Sequence, residues 1–149
     1  MPTFDISRHT FSNQRHTTSY LASGPVDGPV AICVHGWPEL AISWRNQLPL
    51  LASLGFRAIA PDMRGYGHST VYDRHEDYAV EEAVQDMLEL LDHVGGEQAL
   101  WIGHDWGSAV VWAVEVTVVK MVLQSSPVKP ANRTFGFSNI TFKRCKRNN

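Results

Sequence analysis

The stretch that most constrains the fold is Leu100-Trp101-Ile102-Gly103-His104-Asp105-Trp106-Gly107-Ser108-Ala109-Val110-Val111. It opens as an apolar strand and closes as a helix. Between the two sits a single acidic residue with a glycine two positions to either side. A strand that turns directly into a helix forces the residue at the turn into crowded backbone angles. Side chains at the flanking positions would collide there, so Gly103 and Gly107 relieve the crowding. The central side chain is then held out at the end of the sheet, where the free N–H groups of the following helix favour a negative charge. The spacing matches the nucleophile elbow, Gly-x-nucleophile-x-Gly, with Asp105 where serine is more common. An aspartate just before a helix is also a common N-cap. The stretch by itself leaves both readings open.

A chain of 149 residues can form one domain with a real core. No apolar run approaches a membrane span, and Met1–Asp5 lacks the charged-then-apolar order of a secretory signal, so the cytoplasm is the expected location. Cys33 falls in a strand pattern and Cys145 in a polar stretch far from it, which favours free thiols. The overall charge of −2 hides a division. Residues 1–115 hold all 15 acids and six Lys/Arg, whereas residues 116–149 hold seven Lys/Arg and no acid.

Thr10–Ser12 and Thr17–Ala22 read as short strands around the polar turn Asn13-Gln14-Arg15. Val30–Val34 is continuously apolar, as a strand buried on both faces should be. It runs into His35-Gly36-Trp37-Pro38, a loop that leaves backbone N–H groups unpaired. Ser43–Leu54 has helical character, with Ser43 as cap and Pro49 as a break or kink. Phe56–Ala60 is a further strand, followed by the glycine-bearing loop Asp62–Ser69. Val80, Ala83, Val84, Met87, Leu88, Leu91 and Val94 then mark one face of a helix. Glu81, Glu82, Gln85, Asp86, Glu89 and Asp92 fall on the other, and Gly95-Gly96 ends it. This order predicts an α/β fold: a doubly wound, mostly parallel sheet with antiparallel N-terminal strands. The loops His35–Glu39, Asp62–Ser69 and Gly103–Gly107 should converge at the C-terminal ends of the parallel strands.

Other chemistries fit poorly. Gly65-Tyr66-Gly67 lacks the third glycine of a dinucleotide fingerprint, and Gly107-Ser108 lacks the lysine of a phosphate-binding loop. The seven histidines show no metal-ligand spacing, so no metal and no cofactor are expected. His9 and His16 read as surface residues. Nothing suggests nucleic-acid binding.

Three motifs stand together in order: His35-Gly36-Trp37-Pro38-Glu39-Leu40, Asp62-Met63-Arg64-Gly65-Tyr66-Gly67-His68-Ser69 and Gly103-His104-Asp105-Trp106-Gly107-Ser108. Over residues 9 to 113 the chain resembles the α/β-hydrolase-fold epoxide hydrolases. Haloalkane and haloacetate dehalogenases are related alternatives, and the pair Trp37 and Trp106 favours the epoxide hydrolases. The resemblance implies that Asp105 attacks an epoxide carbon to form an alkyl ester, which an activated water then hydrolyses to a diol. Carboxylates are ionised at pH 7, so such an attack needs no base. The resemblance also implies that the backbone N–H groups of Trp37 and Trp106 form the oxyanion hole. His35, Gly36, Pro38, Gly103 and Gly107 would shape the pocket, with His35 bracing its loop. His104, which precedes the nucleophile, should not be the triad base. The expected ligand is a small epoxide or a similar apolar electrophile.

The chain departs from that family after Ala113. Family members carry an acid and then a histidine beyond the nucleophile, and tyrosines in a cap. Here one acid, Glu115, follows Asp105, with no histidine and no tyrosine. Val114–Val119 turns β-branched, against helix propensity, and Lys120–Pro127 reads as a poor sixth strand. Residues 1–123 are therefore expected to form a partial α/β-hydrolase domain. Residues 124–149 are expected to be a basic tail, irregular or foreign to the family. A truncated or misread gene product, catalytically incomplete, is the expectation; a non-catalytic binding module and a functional basic tail are the alternatives. An incomplete sheet should leave the edge of the Ala99–Gly103 strand uncovered and prone to aggregate.

Overall fold

The computed structural model describes residues 4–114 and the backbone of residues 141–146. A six-stranded mixed sheet runs in the order β1-β2-β4-β3-β5-β6. β1 (Ser7–Ser12) and β2 (Thr17–Ser23) form a hairpin, in which β1 begins three residues earlier than its composition suggested. The Oδ1 of Asn13 accepts the backbone N–H groups of Arg15 and His16 and closes the turn. β3 (Val30–Val34), β4 (Arg57–Pro61) and β5 (Gln98–Gly103) are parallel, with β3 in the middle.

Every residue of β3 is buried, because the sheet is covered on both faces. On one face Ile32 and Val34 pack with Ile59 and Trp101 against α2 (Val80–His93) and the helix at residues 106–114, designated α3. On the other face Cys33, Ala58, Ala60 and Ile102 meet a 3-10 turn, Ala41–Trp44, and α1 (Gln47–Ser53). Each fully buried Val, Ile or Leu contributes roughly 1.5–3 kcal/mol by leaving water. The parallel register and the two-sided cover place the C-terminal ends of β3, β4 and β5 side by side.

Six expectations change. Ser43 lies inside the 3-10 turn and Asn46 precedes α1. Pro49 is the third residue of α1, in the first turn, where the backbone N–H has no intrahelical acceptor and its loss costs little. His16 is buried, although His9 is exposed as expected. Asp86 was placed on the solvent face of α2 and is instead buried, because the β1–β2 turn and the loop after β4 bring arginines to it; Val80, expected in the core, is exposed.

The last concerns the tail. Thr141–Lys146 forms β6, antiparallel to β5 and paired from Gln98 to Gly103. Edge pairing needs only backbone N–H and C=O groups, so a segment without apolar periodicity can supply it. The edge of β5 is therefore occupied. The expected strand at Lys120–Pro127, Glu115 and the rest of the tail lie outside the described residues. Among the described residues, no helix is long and apolar enough to cross a membrane.

Candidate active site

Asp105 sits in the left-handed region, at φ 52°, and no other non-glycine does so among the described residues. The glycines around it are sterically required. A Cβ on Gly107 would lie 2.2 Å from the carbonyl oxygen of Val34, and one on Gly103 would lie 2.5 Å from that of Gly107. The crossing of β5 into α3 over the end of β3 leaves no room for either.

The N-cap reading of Asp105 fails on hydrogen bonding. The N–H groups a capping side chain would accept, those of Gly107 and Ser108, go to the backbone oxygens of His104 at 2.8 Å and Asp105 at 2.9 Å. The carboxylate turns across to the loop after β3, where Oδ1 accepts the Trp37 N–H at 2.9 Å. That approach needs a bare Gly36, because a Cβ there would stand 2.4 Å from the Asp105 Cβ. The Trp37 N–H above all, then that of Trp106, holds the carboxyl below its usual range, with a smaller contribution from His104. An exposed carboxylate, ionised at neutral pH and oriented by backbone N–H groups, is the chemistry this turn presents.

Behind this pair the other motif residues brace the loops. His35 is fully buried, and burial lowers its pKa. Its Nε2 accepts the Met63 N–H at 3.0 Å, and its Nδ1 bonds the Gly36 oxygen at 2.8 Å. The Tyr66 ring meets the imidazole edge-on, with centroids 5.0 Å apart. Asp62, buried at the end of β4, accepts the Ala41 N–H at 2.9 Å and an Arg8 N–H at 3.1 Å. The three loops thus converge where the strand order placed them.

Gly36, Trp37, Gly103, Asp105, Trp106 and Gly107 all meet at this point, and His35 lies beneath it. Pro38 follows Trp37 through a cis peptide on the exposed side. The indoles of Trp37 and Trp106 are 65% and 66% exposed beside the carboxylate. His104 stands at the rim, with Nδ1 3.4 Å from Glu39 Oε2. Neither Asp62 nor Tyr66 has an individual role legible in the sequence. Their only signal was membership of the Asp62–Ser69 loop.

The profile of the family described as alpha/beta hydrolase fold matches residues 29–138. The chain belongs to the α/β-hydrolase fold family. Within it, the chain corresponds to the N-terminal portion of epoxide hydrolases. It is 50% identical over 92 residues to epoxide hydrolase A of Mycobacterium tuberculosis, covering 62% of this chain and 29% of that protein. It is 44% identical over 107 residues to epoxide hydrolase B of the same organism, covering 70% and 30%. The crystal structure of epoxide hydrolase A from Mycobacterium thermoresistibile superposes with a TM-score of 0.72 at 38% identity, over 74% of this chain and 35% of that one. An epoxide hydrolase from Vigna radiata gives 0.71 at 36% identity, with the same coverage. The chain therefore spans about a third of the length of these α/β hydrolases.

Proposed function

We propose that Asp105 is the nucleophile of an epoxide-opening site and that the 149 residues alone carry only its first half-reaction. The observation behind this is the Asp105 carboxylate, ionised, exposed and hydrogen-bonded to the Trp37 N–H. An Asp105 carboxylate oxygen attacks an epoxide carbon, the ring C–O bond breaks, and the alkoxide takes a proton from solvent. The product is an alkyl ester on Asp105. Hydrolysing that ester requires a base to activate water and N–H donors for the tetrahedral oxyanion. The backbone N–H groups of Trp37 and Trp106 supply the donors. No histidine follows Asp105, and the buried, doubly bonded His35 cannot reach water.

The relatives' names support the substrate class, and the exposed indoles of Trp37 and Trp106 suit an apolar epoxide. Incubation with styrene oxide, followed by intact-mass and peptide mass spectrometry, tests this. The expected result is one adduct of the epoxide's mass on Asp105, lost in Asp105→Asn. Sustained diol release by the purified chain would overturn the half-reaction, and an adduct that survives Asp105→Asn would overturn the nucleophile.

A further inference from the structure

We propose that His35 is a positioning residue that grips the Gly36–Trp37 peptide from behind and thereby aims the Trp37 N–H at Asp105. The inference rests on the reading of Asp105 above and adds what holds its partner in place. A backbone N–H can only donate, so the Met63 N–H at 3.0 Å requires a bare Nε2 on His35. A carbonyl oxygen can only accept, so the bond to Gly36 O at 2.8 Å requires a proton on Nδ1. The two bonds together leave one neutral tautomer.

The acceptor of the Nδ1 proton is the key. The Gly36 carbonyl and the Trp37 N–H are the two ends of one peptide plane, which is trans and therefore points them in opposite directions. His35 holds one end and Asp105 Oδ1, at 2.9 Å, receives the other. The Glu39 N–H also donates to the Gly36 oxygen, at 3.0 Å. Two donors on the oxygen draw electron density through the amide and strengthen its N–H as a donor. The imidazole is itself held in place, because it is fully buried, bonded at both nitrogens and packed edge-to-face with the Tyr66 ring. A histidine that merely filled space would need neither a defined tautomer nor a carbonyl partner within this peptide.

The test uses the full chain. In the wild type, 15N spectra of the His35 ring should show a protonated Nδ1 and a bare Nε2; the opposite tautomer would overturn the proposal without any variant. His35→Asn keeps a donor near the Nδ1 position, and His35→Gln keeps an acceptor near the Nε2 position. A 13C titration of the Asp105 carboxyl should move up toward the ordinary carboxylate range in His35→Gln and stay near wild type in His35→Asn. The Trp37 amide proton should shift upfield in the former only. Equal titrations in the two folded variants would overturn the tether. Ester formation with styrene oxide should be about tenfold slower in His35→Gln than in His35→Asn. A wild-type chain that takes no epoxide would sink the alkylation reading, while the titration contrast would still support the tether.

Discussion

Arg64 and Asp86 meet as a two-bond pair in the interior: Nε donates to Oδ2 at 2.7 Å and Nη2 to Oδ1 at 2.9 Å. Their side chains are 4% and 0% exposed. Arg64 belongs to the loop after β4, and Asp86 lies midway along α2. Arg15, from the β1–β2 turn, reaches the same Asp86 carboxylate and also bonds Glu82 and Glu89. The Tyr72 ring lies 4.8 Å from the Arg64 guanidinium. One carboxylate therefore joins the hairpin, the α2 helix and the loop that carries Met63 and Tyr66.

Removing one partner of a buried pair strands the other charge and costs about 3–5 kcal/mol, more than the intact pair contributes. Asp86→Leu takes from buried Arg64 its two-bond partner and from Arg15 one of three carboxylates, whereas Arg64→Met leaves Asp86 with Arg15. Urea unfolding should show the larger loss for Asp86→Leu. The double substitution should recover part of it, because it removes the buried charge on both sides. Equal losses for the two single variants would mean that Arg15 does not share the carboxylate.

Stability should fall with acid in two windows. His35 is held neutral by burial, with its folded pKa below the ordinary 6.5. The unfolded chain therefore takes up a proton first, and stability falls as pH drops from 6.5 toward the folded value. For Glu89, burial pushes its pKa up, but hydrogen bonds from Arg15, Gln85 and Asn13 outweigh it and leave it below 4.5. Its contribution is complete above pH 4.5 and disappears as pH falls through the lower folded value. Melting temperature measured against pH should show both limbs, and Glu89→Gln should flatten only the more acidic one.

Gly36 and Gly107 should separate site geometry from folding. In Gly107→Ala the new methyl meets backbone oxygens of Val34 and His35, at 2.2 and 2.5 Å, which cannot move without breaking the β3–α3 junction. We expect a loss of several kcal/mol, about 3 or more, as for other severe backbone strain. In Gly36→Ala the new methyl meets the Asp105 Cβ at 2.4 Å, which side-chain rotation cannot move, and the His104 oxygen at 2.9 Å, so the loop after β3 must draw back from the turn at Asp105. That variant should lose less stability than Gly107→Ala, because the loop is exposed at Trp37 and Pro38 and can shift, and lose at least about tenfold in the rate of ester formation through loss of the Trp37–Asp105 alignment. Circular dichroism and adduct mass spectrometry read the two effects separately.

β6 covers the edge of β5, so shortening the chain to residue 140 should expose six residues of unpaired strand. Backbone amides of β5 that face β6 should lose hydrogen-exchange protection, while those facing β3 keep theirs. The shortened chain should also scatter more light at equal concentration. Unchanged protection across β5 would show that β6 contributes nothing to the edge.

The candidate site was legible in sequence because its residues are constrained by local geometry. A strand-turn-helix crossing demands glycine at positions 103 and 107 whatever surrounds it, and a continuous apolar run such as Val30–Val34 demands cover on both faces. Those demands are written in spacing and composition. The helical period of α2 likewise located its core face, and Gly95-Gly96 its end. Asp86 was misread because helical spacing reports which direction a side chain points and not what meets it there. An acid on the flank of α2 is solvated or buried according to whether Arg15 and Arg64 arrive from segments 71 and 22 residues away.

The same limit applies to His35, Asp62 and Tyr66. Sequence placed them in loops at the ends of parallel strands, and His35 was expected to brace its loop. Its tautomer depends on Met63, 28 residues on, and that contact exists only once β3 and β4 are paired. Pro49 and Thr141–Lys146 show the converse. A proline is tolerated in a first helical turn that only the structure located, and an edge strand formed from a segment without apolar periodicity because pairing draws on backbone groups that every residue carries. The chain by itself determined the α/β order, the elbow and the residues of the turn. Tertiary structure decided which charges are buried and how the Asp105 partner is held, because those outcomes depend on pairings between segments distant in sequence.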